Sequence, residues 1–277
     1  MSSKRIEERE LLEKVESERN VTRAKRLVLQ PRQAAVYKAA LAALNADQIH
    51  YAVGAAFARY AYTSIWRYTK DLDIFIMPEN LKASLEALNR AGFETRIKEE
   101  HWLAKAWMEE FFIDLIFGTG HGQIPVDEET FRGSKKTRIL GITTTLVPVE
   151  EMIASSMYIA GRNRFDGPEI VHLIHSYKGK LDWARILHRL ENNRELLLWY
   201  LLLFDFVYPG HPSYLPKKIM EDLFADVQKR WRRRRHDPAA FRGTLLDPLS
   251  YNVDIADWGY EDQRNQSPLV NGDGEAL

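Results

Sequence analysis

Arg67-Tyr68-Thr69-Lys70-Asp71-Leu72-Asp73-Ile74-Phe75-Ile76-Met77 decides the fold, because it sets two carboxylates one residue apart at the head of an apolar run bounded by Pro78. Side chains at i and i+2 of a strand point to the same face, so Asp71 and Asp73 can share a divalent cation. The spacing alone is weak, since 16 aspartates in 277 residues supply about one such pair by chance. The strand context gives it meaning. Upstream, Tyr51-Ala52-Val53-Gly54-Ala55-Ala56 is a short apolar stretch ending in a glycine before what reads as a brief helix. Downstream, Phe111-Phe112-Ile113-Asp114-Leu115-Ile116-Phe117-Gly118 is a second apolar strand with one central carboxylate.

Gly54, the Asp71/Asp73 pair and Asp114 together resemble the nucleotidyltransferase superfamily. Arg67 to Asp73, Asp114 and the later Arg162-Asn163-Arg164-Phe165-Asp166-Gly167-Pro168-Glu169 look like its bacterial members grouped loosely with the AbiEii toxins. The resemblance extends from about residue 45 to about residue 265. It implies an α/β (α+β) protein in which a small mixed β-sheet core is followed by a helical C-terminal domain. It also implies transfer of a nucleoside monophosphate from an NTP to an acceptor hydroxyl. The acceptor is open between RNA such as tRNA, protein and a small molecule, and an antitoxin is a further implied partner.

That chemistry needs a nucleophilic hydroxyl, an electrophilic α-phosphate and a pyrophosphate able to leave, and two hard cations about 3.5–4 Å apart serve all three. On this reading Asp71, Asp73 and Asp114 hold two Mg²⁺ ions and form the catalytic set, with Asp114 able to take the hydroxyl proton. Without metal, such crowding raises the pKa of one carboxylate. Gly54 and Ala55 head the helix whose N–H groups cradle phosphate. Arg67, Thr69 and Lys70 precede the carboxylates, with Arg67 and Thr69 on the face of Asp71. Two departures stand out. Ala55 replaces the Gly or Ser that normally follows the superfamily's glycine, and Ser155-Ser156 stand where relatives often carry a lysine. Arg162 and Arg164 either restore that charge for the nucleotide or pair with Asp166 and Glu169. The alternative reading is a catalytically silent nucleotide- or RNA-binding module of a toxin–antitoxin or phage-defence system.

At 277 residues the chain allows one large domain or two smaller ones. Hydrophobic residues at 45% and charged residues at 28% are those of an ordinary soluble globular protein. With 39 basic and 39 acidic residues, no global field draws it to nucleic acid or an anionic membrane. The absence of cysteine excludes disulfides, thiolate nucleophiles and Cys-ligated metal, and points to the cytoplasm. No signal-peptide h-region is expected at the N-terminus. The longest apolar stretch, residues 196–207, is interrupted by Asp205 and too short to span a bilayer.

Along the chain we expect a charged helix or arm at 1–30, an α/β core at 31–147, a helical domain at 148–265 and a disordered polar tail at 266–277. Helix formers at 33–45 place Val36, Ala40, Leu41 and Leu44 on one face. Strands are expected at 49–53, 72–77, 93–98, 102–107, 111–117 and briefly at 138–140. The C-terminal helices are expected at 150–161, 168–177, 182–190, 194–207 and 217–234. His172 and His175 are spaced for metal ligation but lack a third ligand, so packed histidines are the better reading. His121, in a glycine-rich loop, is within reach of an acceptor or simply part of a turn. The run 229–235 is the strongest basic cluster; it either binds RNA phosphates or pairs with neighbouring acids such as Glu221 and Asp226. The aromatic segment 241–260 is expected to fold back onto the body.

Overall fold

A computed structural model describes residues 22–23, 29–233, 238–262 and 264. The sheet half comprises α1 (Pro31–Ala46), β1 (Tyr51–Val53), α2 (Ala55–Thr63), β2 (Asp71–Ile76), α3 (Leu81–Arg90), β3 (Glu94–Glu99), β4 (Leu103–Met108), β5 (Phe111–Ile116), β6 (Lys135–Ile139) and β7 (Ile142–Leu146). The helical half adds α4 (Val149–Ser156), α5 (Gly167–Ser176), α6 (Trp183–Leu190), α7 (Arg194–Val207) and α8 (Lys217–Arg232).

β2 is central because its alternation suits it to burial on both faces. Leu72, Ile74 and Ile76 are fully buried on one, while Asp71, Asp73 and Phe75 share the other, with only Phe75 buried. The sheet is mixed, in the order β6-β7-β1-β2-β5-β4-β3. β2 runs antiparallel to β1 and parallel to β5, and β5, β4 and β3 follow antiparallel. Pro31 opens α1 as a first-turn proline can. Val36, Ala40, Leu41 and Leu44 are buried as their spacing predicts. The fold class is the α/β class expected.

Three departures bear on the site. The sequence suggested one short strand near 138–140, whereas β6 and β7 form a hairpin whose two-residue turn, Leu140 and Gly141, has positive φ at both positions. β7 then pairs parallel to β1. Helix α4 ends at Ser156 instead of 161. Residues 157–166 double back through an Ala160–Phe165 bridge with Arg162 and Asn163 at the tip. The segment 241–260 folds back through buried Thr244 and Leu245 and an Arg242–Glu195 ion pair, whereas Phe241, Tyr251 and Tyr260 cluster with one another and Trp258 remains 68% exposed.

The apolar core is continuous from Val36 in the sheet half to Leu245 near the C-terminus. Within the helical half, Glu151 of α4 is buried against Arg185 (2.8 Å) and Arg189 (2.9 Å) of α6, and the same arginines reach across to the sheet half, Arg185 to the Glu129 and Arg132 carbonyls. Arg189 also binds Asp127, the Pro125 carbonyl and Thr130. Residues 22–23 pair with Ile65–Trp66, while the rest of the expected arm before 29 and the tail 266–277 lie outside the described residues. Among the described residues no helix is long and apolar enough to cross a membrane.

Candidate active site

Strand register assembles the carboxylates. Asp73 lies directly opposite Asp114 in the parallel β2/β5 pair, and Lys105 lies opposite Asp114 in the antiparallel β5/β4 pair. The three therefore form one row across adjacent strands, and Asp71 is on the same face two residues before Asp73. Lys105 Nζ binds both Asp114 oxygens, at 2.6 and 2.7 Å. Thr69 Oγ1 donates to the Asp71 carboxylate. Among the described residues no donor is hydrogen-bonded to the Asp73 carboxylate. Desolvation between the cleft walls, then the charges of Asp71 and Asp114, push the half-buried Asp73 carboxyl up to about 8, against the opposing pull of Arg164 and Arg59. Burial also raises the Asp114 carboxyl, although Lys105 pulls it down.

This donor set suits a hard divalent cation, because crowded carboxylate oxygens, one pair of them without a hydrogen bond, are the ligands Mg²⁺ prefers. Among the described residues, Asp71 and Asp73 are the pair with no cationic side chain hydrogen-bonded to them. Asp114 has one, and among the described residues no three acidic or histidine side chains gather in a metal-holding arrangement. The Lys105 ammonium instead takes both oxygens of this third carboxylate.

Gly54 ends β1 and caps α2. Its N–H donates to the Asp73 carbonyl at 2.9 Å, and a Cβ there would enter the ring of buried Phe75. The position therefore requires glycine for close approach rather than for its dihedral angles, which are extended (φ −115°, ψ −155°). Ala55 is the strained residue, at φ +39°. From it, Ala55, Ala56, Arg59 and Thr63 present one face of α2 to the site.

Two cavities of about 570 Å³ each meet at this row. Both are lined by Ala55, Arg59, Asp71, Asp73, Asn163, Arg164 and Asp166. The first adds Arg67, Thr69, Lys70 and His172. The second adds Asp114, Trp102, His121, Ser155, Ser156 and residues 246–249. The C-terminal segment thus reaches the cleft, which its composition did not reveal.

Most residues singled out from sequence converge here. Gly54, Ala55, Thr69, Lys70, Asp71, Asp73 and Asp114 form or border the row. Arg67 lines the first cavity and is paired with Glu169 at 3.0 Å. Arg164 lines both cavities and makes the expected pair with Asp166, though not with Glu169. Its guanidinium binds Asp166 at 2.9 and 3.1 Å, and it lies close enough to Asp73 and Asp71 to feel their charge. Arg162 is exposed and lines neither cavity; only its backbone N–H is engaged, by Asp247. Ser156, in the place of the expected lysine, is within 3.5 Å of Asp166. His175 packs among Tyr208, His211 and Tyr214. The described part of the basic run lies on α8, away from both cavities, with Arg230 paired to Glu195; Arg234 and Arg235 lie outside the described residues.

Arg59, Lys105, Asp166 and Glu169 were not singled out as site residues. Arg59 was within reach of pattern reasoning, four residues along the helix from Ala55. Lys105 was within reach too, since the strands expected at 102–107 and 111–117 join in a hairpin whose short turn sets it opposite Asp114.

No protein-family model matches the chain, and no curated protein matches it. Among solved structures it is similar to the antibiotic-resistance factor ANT(2'')-Ia, at 14% identity over 65% of this chain and 99% of that one, TM-score 0.45. It is also similar to a nucleotidyltransferase-like protein from Paracoccidioides brasiliensis, at 15% identity over 67% and 93%, TM-score 0.42. A third is the lincomycin-bound lincosamide antibiotic adenylyltransferase LnuA, at 12% identity over 52% and 96%, TM-score 0.38. All three TM-scores lie below 0.5, so the chemistry rests on the residues themselves.

Proposed function

We propose that this protein is a Mg²⁺-dependent nucleotidyltransferase that moves a nucleoside monophosphate from an NTP to an acceptor hydroxyl. The observation that carries the reading is the direct opposition of Asp73 and Asp114 on parallel strands, with Asp71 on the same face. In the reaction the hydroxyl oxygen attacks the α-phosphorus. An O–Pα bond forms as the bond from Pα to the α,β-bridging oxygen breaks, and pyrophosphate leaves with the electron pair. Asp71 and Asp73 would hold the cation, which when bound neutralises charge building on the phosphate. Asp114, once released by Lys105, is the base placed to take the hydroxyl proton. Arg59, Arg67, Lys70 and Arg164 supply the cationic wall suited to a triphosphate. The AbiEii-like grouping rests on the Arg67-to-Asp73 lead-in and the 162–169 segment, and the cysteine-free composition suits a cytoplasmic protein.

The Lys105–Asp114 pair favours a second reading, a silent nucleotide- or RNA-binding module of a toxin–antitoxin or phage-defence system, because it neutralises the proposed base. Incubation with each NTP and Mg²⁺, following pyrophosphate release and nucleotide binding together, separates the two. The transferase reading expects both in the wild type. It expects pyrophosphate release to fall at least about a hundredfold in Asp71→Ala and Asp114→Ala. Nucleotide binding without pyrophosphate release would support the silent module. Binding and release unchanged in both variants would rule out this site.

A further inference from the structure

The two cavities differ in chemistry although they share the carboxylates. Arg59 and Arg164 border both; the first alone adds Arg67, which is paired with Glu169, and Lys70. The second is walled by Trp102, Leu103, Ile116, Met152, Ile159 and Leu249. Each arginine that reaches it is already held, Arg59 and Arg164 by Asp166 and Arg264 by Asp262. Its remaining charged lining, Glu99, Asp114 and Asp247, is acidic. A nucleic acid needs cations for each phosphate it seats, and this wall offers it carboxylates. At about 570 Å³ the cavity is in the size range of small-molecule sites. The Trp102 ring, edge-on to His121 at 5.8 Å, gives a flat ligand an apolar face to pack on. Residues 246–249 form one wall, fixed by the hydrogen bond from the Arg162 N–H to Asp247 (3.1 Å).

We infer that the second cavity is the acceptor site and that the acceptor is a small, neutral or cationic hydroxyl compound with an apolar ring or chain, rather than RNA or protein. The inference rests on the transferase reading, and it names the acceptor class for that same site. The acceptor oxygen would enter from the Trp102 side and the NTP from the Arg67 side. They meet at Asp71 and Asp73, where the new O–Pα bond forms and pyrophosphate departs into the first cavity. The acceptor proton passes to a carboxylate of the row.

The test uses the full chain, Mg²⁺ and each α-labelled NTP, offered separately with a cell-extract filtrate below about 1 kDa, total RNA and the protein fraction. Label is expected in the filtrate, in a product resistant to ribonuclease and retained on an apolar column. Trp102→Ala and Leu249→Lys are each expected to cut that labelling at least about tenfold while leaving Mg·NTP affinity within about twofold. Leu249 is 80% exposed, so the second variant does not depend on repacking the core. Label in RNA or protein, labelling indifferent to both variants, or no label in any fraction despite Mg·NTP binding would overturn the acceptor assignment. Failure to bind Mg·NTP at all would sink the transferase reading instead.

Discussion

Asp73 carries the electrostatic strain of the site, and its sign can be followed through to stability. Desolvation and the neighbouring carboxylates push its carboxyl up from the ordinary 3.8 to about 8. Between those values the folded state keeps a proton that the unfolded state has released. Metal-free stability should therefore fall as pH rises from about 4 to about 8. Melts in chelator should show that decline in the wild type and a flatter profile in Asp73→Asn. The variant should be more stable at pH 8 by about 1 kcal/mol or more, and inactive. Parallel profiles for the two proteins would count against the assignment. Lys105 acts in the opposite sense. Lys105→Met removes an ammonium that competes with a cation for Asp114, so Mg²⁺ affinity without nucleotide should rise several-fold by calorimetry. The two residues at the head of α2 also differ. Gly54→Ala drives a methyl into the Phe75 ring and should lower stability by about 1–3 kcal/mol in urea titrations. Ala55→Gly should be close to neutral, because relief of the left-handed φ is offset by glycine's backbone entropy.

Elements show why some of the site was legible and some was not. β1, β2 and β5 announce themselves as short apolar runs, and their carboxylates and glycine can be picked out by position. β7 gives a weaker signal. Thr143, Thr144 and Thr145 are β-branched but polar, so the apolar alternation that marks a strand is missing although Thr144 is buried. The early end of α4 was hidden because Met157, Tyr158 and Ile159 continue an apolar pattern through the point where the backbone leaves the helix. Arg164 reaches the site through that bend, whereas Arg162, two residues earlier, points away from both cavities. Pattern reasoning treated the two alike because it had no means of locating the bend.

For the molecule as a whole, the sheet half and the helical half are joined by contacts that no local window contains. Arg185 and Arg189, both paired with Glu151, reach across: Arg185 binds the Glu129 carbonyl 56 residues away in the chain, and Arg189 binds Asp127, 62 away. Glu151 is 4% exposed, so removing its charge leaves two arginines with one partner fewer. Glu151→Ala should cost about 3–5 kcal/mol. Given the continuous core, the loss should appear as one transition, at the same midpoint by far-ultraviolet dichroism and by tryptophan fluorescence. Two separated transitions would mean that the halves fold independently.

The opposition of Asp73 and Asp114 is a matter of phase rather than of length. The segment from 77 to 110 that separates their strands can grow or shrink without moving either carboxylate, provided β5 meets β2 in the same register. Sliding β5 by a single residue turns Asp114 to the far face. Extra residues at the exposed Glu109-Glu110 turn are thus expected to leave Mg·NTP binding intact. A protein that keeps this row can therefore differ widely in chain spacing from its relatives, and a search by fixed spacing would pass over it.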